Sequence, residues 1–302
     1  MSRPEGYRMA LKIPLSEIKD ATKDFRNVIR RGSRGSIYEG ELYIHGIYKK
    51  VAVMRSNEVF GEWINELLER FHLLAGKQHQ NLITFFGYCD EGNEKIIVYE
   101  YAEHGSLARY IRCSDTNYTL TWLERLKIVV DAARGLDHIH NHLAMNNAII
   151  HGNIKSSNIL LDHKWVAKIS GLEGKSVNTL TSSTVGYVDP EYIFTGFMSK
   201  KSDVYSFGMV LFEVLCGRLC NVKYDDDIIL SAEVAKEYYA NDQLDNIIDP
   251  ILRNQMSSNA LKNFSAIAYK CLQNQKQRPL MDAVKKELED TLKIEVQITN
   301  RL

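Results

Sequence analysis

The spacing of apolar residues changes once along the chain. The first third contains β-branched and aromatic runs broken by Gly and Asn, including IYEGELYIHGIYKKVAVM and NEKIIVYEYAEHG. Such runs are typical of twisted antiparallel strands. From about Ser106 the apolar residues recur every three or four positions, as in TWLERLKIVVDAARGLDHIH and SDVYSFGMVLFEVLCG, which predicts helices. We therefore expect a small β-rich lobe followed by a larger helical lobe.

Two helices are expected in or before the β-rich part. The segment from Ile13 to Phe25 predicts a short helix with Ser16 as its N-cap. The segment GEWINELLERFHLLAG repeats apolar residues at helical spacing and predicts the main helix of the small lobe. The expected fold class is α+β, and we divide the chain into a lead with a short helix at 1–26, a small lobe at 27–101, a hinge at 102–105, a large lobe at 106–296 and a tail at 297–302.

Charge and composition exclude several classes of function. Lys plus Arg and Asp plus Glu both number 38, so the chain has no net charge to attract nucleic acid. No apolar run approaches the roughly 20 residues that a membrane span needs, and MSRPEGYRMA lacks the apolar core of a signal peptide. The five cysteines lie mostly in apolar segments, which indicates reduced thiols. We therefore expect a cytoplasmic chain with no direct membrane insertion and no metal site.

Several motifs occur in the order found in protein kinases. They are LSEIKDATKDF, IYEGEL, HQNLITFFGYCDEGNEKIIVYEYAEHGSL, LTWLERLKIVVDAARGLDHIH, KSSNILLD, GYVDPEY, KSDVYSFGMVLFEVLCGR and QRP. From Ile13 to about Leu292 the chain resembles the protein-kinase fold, and more closely the cytoplasmic kinase domains of plant receptor-like kinases. The resemblance implies a bilobal fold and a location at the plasma membrane through regions outside this chain.

The resemblance also identifies five positions that depart from the family's catalytic residues: Met54, Arg70, Gly152, Asn153 and Gly171. Met54 stands where a lysine binds the phosphates of ATP, and Gly171 stands where an aspartate binds magnesium. Asn153 replaces the aspartate that accepts the substrate's proton, and an amide cannot act as that base at neutral pH. Losing such a base typically costs about 10²–10⁴-fold in rate.

The glutamate partner of the missing lysine aligns with Arg70, although Glu66 or Glu69 could take that position. In the glycine loop Gly32 and Gly35 are kept, while Arg30 and Arg34 replace a glycine and an aromatic residue. The two arginines are either solvated on a tolerant hairpin, or one of them fills the region where phosphate would bind.

Other positions of the family pattern are retained. The resemblance implies a nucleotide pocket formed by Ile37, Ala52, Tyr99, Leu160, Gly32 and Gly35. It also implies a retained catalytic loop with His151, Lys155 and Asn158. The structural residues that it implies are Asp203 and an ion pair of Glu191 with Arg278. Leu74, Leu172 and His151 match an apolar stack. The activation segment offers candidate phosphorylation sites at Ser176, Thr179, Thr181, Ser182, Ser183 and Thr184.

These departures lead to the hypothesis of a pseudokinase that is not an enzyme. We expect it to act as a scaffold, allosteric partner or substrate of an active receptor-like kinase or another signalling protein. We expect no required cofactor, weak or absent ATP binding and no use of magnesium. One alternative is an unorthodox Ser/Thr kinase that recruits Lys49 or Lys50 for phosphate and Glu173 for metal. Another is a nucleotide-binding switch without turnover.

Overall fold

The computed structural model describes residues 11–32, 35–44, 46–57, 79–111, 118–142, 149–172, 185–223 and 228–300. The chain forms two compact units, Met1–Glu103 and His104–Leu302. The first unit is rich in strands and the second is mostly helical. The predicted α+β fold class is therefore confirmed.

A six-stranded sheet forms the first unit. Its strands are β1 (Leu11–Lys12), β2 (Val28–Gly32), β3 (Gly35–Ile44), β4 (Ile47–Ser56), β5 (Phe85–Glu91) and β6 (Glu94–Glu100). The spatial order is β1-β5-β6-β4-β3-β2, which places β2 at one edge. The pairing is antiparallel except between β1 and β5.

The two faces of this sheet carry different residues because side chains alternate along a strand. One face is covered by the short helix α1 (Leu15–Ala21) and is called the α1 face; its buried members include Tyr38, Leu42, Val51, Val53 and Val98, packed with Ile18 of the helix. The opposite face is called the Met54 face; it carries Ile37, Ala52, Met54, Ile97 and Tyr99.

The N-terminal helix differs from the prediction at its first residue. Pro14, not Ser16, is the N-cap, and Ser16 lies inside the first turn. The backbone N–H of Leu15 donates instead to the carboxylate of Glu91, 3.3 Å away. A distant acidic side chain therefore performs the capping role, which local sequence cannot reveal.

The second unit contains a three-stranded sheet and most of the described helices. The strands are β7 (Gly105–Ser106), β8 (Ile159–Leu161) and β9 (Ala167–Ile169), in the order β7-β8-β9. The helices are α2 (Ala108–Ile111), α3 (Trp122–His142), α4 (Pro190–Thr195), α5 (Lys200–Cys216), α6 (Ala232–Ala240), α7 (Ser258–Cys271) and α8 (Met281–Thr299). Within the described ranges, no helix combines the length and the apolarity needed to cross a bilayer.

Helix α5 is the central element of this unit. It is buried along nearly its whole length, and apolar residues surround two acidic ones, Asp203 and Glu213. Buried carboxylates are costly unless they are hydrogen-bonded. Both therefore have partners that organise the neighbouring loops.

Candidate functional site

Asp203 anchors the loop that carries the family's catalytic motif. Its carboxylate is almost fully buried and accepts hydrogen bonds from the backbone N–H groups of His151 and Gly152, both at 2.7 Å. His140 of α3 lies 2.8 Å from the same carboxylate through Nε2. Three groups thus hold Asp203 in one orientation, and the carboxylate in turn fixes the loop backbone.

The ring of His151 connects the loop to the segment after β9. Its Nε2 lies 3.0 Å from the carbonyl oxygen of Ser170, and its Nδ1 lies 3.1 Å from the backbone N–H of Asn153. The carbonyl requires a donor and the N–H requires an acceptor, so these partners select the neutral ring with its proton on Nε2. His151 is fully buried and acts as an internal link between the two segments.

Asn158 joins the loop to the position where the family has its magnesium aspartate. Its side-chain nitrogen donates to the backbone carbonyl oxygen of Asn153 at 2.8 Å. The backbone carbonyl oxygen of Asn158 accepts from the backbone N–H of Ser170, also at 2.8 Å. Gly171 follows with φ at +87°, and a Cβ atom there would lie 2.6 Å from the Asn158 side-chain nitrogen. The amide of Asn158 therefore occupies space next to Gly171 that a side chain at 171 would need.

A second buried carboxyl group belongs to Glu213 of α5. Glu213 accepts hydrogen bonds from the hydroxyl of Tyr187 at 2.6 Å and from the backbone N–H of Cys220 at 2.9 Å. Ser156 lies 3.3 Å from the same tyrosine oxygen. Burial raises the pKa of the Glu213 carboxyl to about 7, although the bonds from Tyr187 and Cys220 lower it. Sequence reasoning missed this cluster, whose signal was one acidic residue inside the apolar run MVLFEVLC.

The ion pair predicted for Arg278 has a different partner. The guanidinium binds Asp189 with two hydrogen bonds, of 2.7 and 3.1 Å, and both side chains are buried. The predicted pairing with Glu191 is therefore corrected to Asp189. Asp189 is the N-cap of α4, where its backbone is extended and its carboxylate points into the core, whereas Glu191 lies in the first turn and is half-buried.

In the first unit, Met54 is buried on the sheet face named after it. The hydroxyl of Tyr99 donates to its sulfur at 3.8 Å. Tyr99 itself pairs in register with Ala52, so these two predicted pocket positions are neighbours on adjacent strands. Leu160, the fourth predicted pocket position, belongs to β8 in the second unit.

Arg30 lies in the same cross-strand row as Met54. The register pairs Arg30 with Ile37 and Ile37 with Met54, so the three side chains share one face of the sheet. The Arg30 guanidinium extends along the hairpin, with one terminal nitrogen 3.9 Å from the place where a Cβ of Gly32 would be. A cation is therefore present on the Met54 face, two strands away from the family's lysine position.

Gly35 allows this hairpin to approach its neighbouring strand. Its φ is +152°, and a Cβ atom there would lie 2.1 Å from the carbonyl oxygen of Arg55. Any other residue would collide with the backbone of β4. The close contact with β4 therefore explains why position 35 requires glycine.

The two lysines considered as substitutes are engaged elsewhere. Lys50 forms an ion pair with Glu39 at 2.9 Å and lies 4.1 Å from the ring centre of Tyr101. The hydrogen bond that Lys50 donates to the Glu39 carboxylate raises the pKa of Lys50. Lys49 points to the α1 face, where its amine lies 5.1 Å from the ring centre of Phe86. Neither is placed beside Met54.

Several predicted positions lie outside the described residues. They are Arg34, Glu66, Glu69, Arg70, Leu74, Glu173 and the activation-segment hydroxyls Ser176, Thr179, Thr181, Ser182, Ser183 and Thr184. Across the residues that are described, no group of three or more His, Cys, Asp or Glu side chains is arranged to hold a metal ion. The roles of the positions outside the described residues stay predictions.

Comparison with known proteins identifies the family. A family model described as protein tyrosine and serine/threonine kinase matches residues 24–288. The receptor-like protein kinase FERONIA of Arabidopsis thaliana is 38% identical over 293 residues, which cover 93% of this chain and 32% of that protein. The receptor-like protein kinase HERK 1 of the same plant is 37% identical over 298 residues, covering 94% of this chain and 35% of that protein. The chain thus spans about a third of the length of these curated relatives.

These similarities overturn two expectations that rested on the departing residues. The expectation that the chain is not an enzyme is wrong, because relatives 36–38% identical over most of it are named protein kinases, which points to an active kinase family. The expectation of no required cofactor, with weak or absent ATP binding and no use of magnesium, is wrong for the same reason, since kinases normally use both.

The match also explains why the ordered motifs resembled a kinase. The family model covers most of both units, from just after α1 to the middle of α8, and so accounts for the strand-rich and the helical parts together. The chain belongs to the protein tyrosine and serine/threonine kinase family and is homologous to the receptor-like protein kinases of Arabidopsis.

Proposed function

We propose that the chain is an ATP-dependent protein kinase domain in which Arg30 binds the phosphates that the family's lysine would bind. The observation that supports this proposal is the cross-strand row of Arg30, Ile37 and Met54 on one face of the sheet. A guanidinium carries a permanent charge and five donors in a planar fork, which suits phosphate oxygens. Met54 then contributes only apolar volume beside Tyr99.

The catalytic loop supports positioning of a hydroxyl substrate. Phosphoryl transfer depends mainly on placing the reactants and stabilising charge, with little covalent work for the protein. Asp203, His151 and Asn158 hold the loop through buried and partly buried hydrogen bonds, and these bonds do not depend on the side chain at 153. The amide of Asn153 can orient a Ser or Thr hydroxyl but cannot accept its proton. We therefore expect transfer about 10²–10⁴-fold slower than with an aspartate.

Magnesium has one described position that fits it. The side-chain nitrogen of Asn158 donates to the backbone carbonyl of Asn153, so the side-chain oxygen Oδ1 is the atom that can accept, and oxygen is the ligand that Mg²⁺ prefers. The ion supplies charge neutralisation for the phosphates of the nucleotide when it is bound. Asn158 is the described residue that would hold it.

We further propose that the domain signals together with an active receptor-like kinase or another signalling protein. The homology to receptor-like kinases along nearly the whole chain supports this. Location at the plasma membrane would then come from regions outside this chain, since these relatives are about three times as long.

Two neighbouring arginines allow a controlled test. Arg30→Ala removes the cation on the Met54 face, and Arg31→Ala removes a second exposed arginine from the opposite face. We would measure the ATP-induced shift in melting temperature with Mg²⁺, and transfer of labelled γ-phosphate to a Ser/Thr peptide. A charge-assisted contact of roughly 1.5–3 kcal/mol predicts that R30A weakens ATP binding by about 10- to 150-fold, whereas R31A resembles the wild type.

Three results would count against this function. Absence of both ATP binding and phosphate transfer in the wild type would refute the proposed kinase activity. Equal losses in R30A and R31A would remove the special role of Arg30. An ATP-dependent shift with no transfer under any metal would favour the alternative of a nucleotide-binding switch.

A further inference from the structure

Three polar side chains form a second cross-strand row on the α1 face. Ser36 of β3 pairs in register with Arg31 of β2 on one side and with Arg55 of β4 on the other. Directly opposed residues share one face of a sheet, with Cβ atoms about 4.5–5.5 Å apart. A serine hydroxyl thus lies between two arginines, on the face opposite Arg30 and Met54.

A polar cleft opens beside this serine. Its volume is about 330 Å³, and its lining residues include Ser36, Arg55, Asn57, Asn93 and Glu94. Ser36 is half-buried and Arg31 is exposed, so the row is reached from solvent at the edge of the sheet. The cleft has room and donors for a group of several oxygen atoms.

Arg55 is held in place for such a group. Its guanidinium makes a bidentate pair with Glu94, with Nε 2.7 Å from one carboxylate oxygen, and it lies 4.5 Å from the ring centre of Phe25. An oriented guanidinium loses little rotamer freedom when it binds a second anion. Arg31, Arg55 and Glu94 together carry one net positive charge, which a dianion would more than neutralise.

The surrounding sequence adds further positive charge. The segment 26–34 reads RNVIRRGSR, with four arginines and no acidic residue. A protein kinase with an acidic substrate groove would recognise this segment through charge complementarity. Edge strand β2 is exposed along its whole length, so local opening of the hairpin to admit such an enzyme costs little.

We propose that Ser36 is a phosphorylation site for a basophilic Ser/Thr kinase, and that Arg31 and Arg55 bind the phosphoserine. In the reaction the γ-phosphorus of ATP forms a bond to Ser36 Oγ, its bond to the bridging oxygen of ADP breaks, and the hydroxyl proton is released. The phosphate carries about −1.5 to −2 charge and three acceptor oxygens, enough to engage both arginines. It links β2, β3 and β4 and stiffens the glycine hairpin from the face away from Met54.

The first arm of the test asks whether Ser36 is modified. The purified chain with Ser33→Ala, which removes the neighbouring serine, is incubated with a basophilic kinase and ATP, and the phosphate is located by fragmentation mass spectrometry. We expect phosphate on Ser36 and none at that position after Ser36→Ala. Failure to modify Ser36 in the folded chain would overturn the site.

The second arm asks whether the arginines bind the phosphate. Phosphoserine is installed at position 36 by codon expansion, and its second pKa is followed by ³¹P NMR. Two neighbouring cations favour the dianion, so this pKa is expected about one unit or more below the ordinary value of about 6. R31A should raise it towards 6, R55K should raise it partly because the fork is lost, and R30A on the opposite face should leave it unchanged. A pKa near 6 that is insensitive to R31A and R55K would overturn the clamp.

Discussion

Replacing Glu213 by Gln should flatten the pH dependence of stability. The Glu213 carboxyl has a pKa of about 7 in the folded chain, against 4.5 for the unperturbed group, because it is fully buried in α5. Since each pKa unit corresponds to about 1.4 kcal/mol, this carboxyl is expected to destabilise the folded state by about 3 kcal/mol above pH 7.

The sign follows from proton binding. Below pH 4.5 the carboxyl is neutral in both states and has no effect on the pH profile. Between pH 4.5 and 7 the unfolded chain releases this proton while the folded chain keeps it, so the free energy of unfolding falls as pH rises. Above pH 7 both states are ionised and the loss is complete.

The assay is urea unfolding of the wild type and E213Q at pH 5.5, 6.5 and 7.5. Glutamine keeps an oxygen that can accept from Tyr187 and Cys220 but does not ionise. We expect E213Q to gain on the wild type by roughly 2 kcal/mol between pH 5.5 and 7.5. Glu237→Gln, which alters an exposed carboxylate on α6, serves as the control and should follow the wild type. Parallel pH profiles for the wild type and E213Q would refute the assignment of a neutral buried carboxyl.

Two further substitutions test other contacts. Gly171→Ala should lower the free energy of unfolding by about 2–3 kcal/mol, because the new Cβ meets Asn158 at a left-handed φ. Gly46 has almost the same φ, +86°, but no atom lies within 4 Å of a Cβ placed there. In the same urea denaturation assay Gly46→Ala should therefore cost only about 1 kcal/mol. Equal losses in the two alanine variants would show that Asn158 exerts no steric constraint. Asp189→Ala should lower the free energy of unfolding by about 3–5 kcal/mol, because it leaves Arg278 buried without its carboxylate partner. Glu191→Ala should lower it by less than about 1 kcal/mol. A lower melting temperature for Glu191→Ala than for Asp189→Ala would instead support the pairing with Glu191.

Periodicity was sufficient for the fold class but not for residue pairing. The change from strand-like to helical spacing predicts a strand-rich part followed by a mostly helical part, and the observed fold class confirms this order. Asp189 and Glu191 are two residues apart in DPEY, and only the path of the chain into α4 decides which carboxylate enters the core. The roles proposed for Arg30 and Arg31 depend on an irregularity in the pairing of β2 between Val28 and Arg30, which determines the face that each side chain occupies.

The wrong expectation about enzymatic activity has a different physical origin. That expectation assigns each catalytic role to one fixed position, so Met54, Asn153 and Gly171 together predict loss of the reaction. Charge stabilisation for phosphate can come from another strand of the same sheet. The sequence does not give the strand register, so it does not show which residues share a face. The predicted anchoring role of Asp203 needed no such information, since it rests on one carboxylate in a buried helix and two backbone amides.

The covering helix α1 has a consequence for where the folding unit begins. The kinase-family match starts at residue 24, after α1, and stops at residue 288, inside α8. Ile18 of α1 is nevertheless fully buried on the sheet, and Glu295 of α8 accepts a hydrogen bond from the backbone N–H of Ser257 at 3.0 Å. A recombinant domain trimmed to residues 24–288 would expose an apolar sheet face at one end and lose a helix-capping carboxylate at the other. A stable recombinant domain is therefore expected to need α1 and the whole of α8, beyond the limits of the family model.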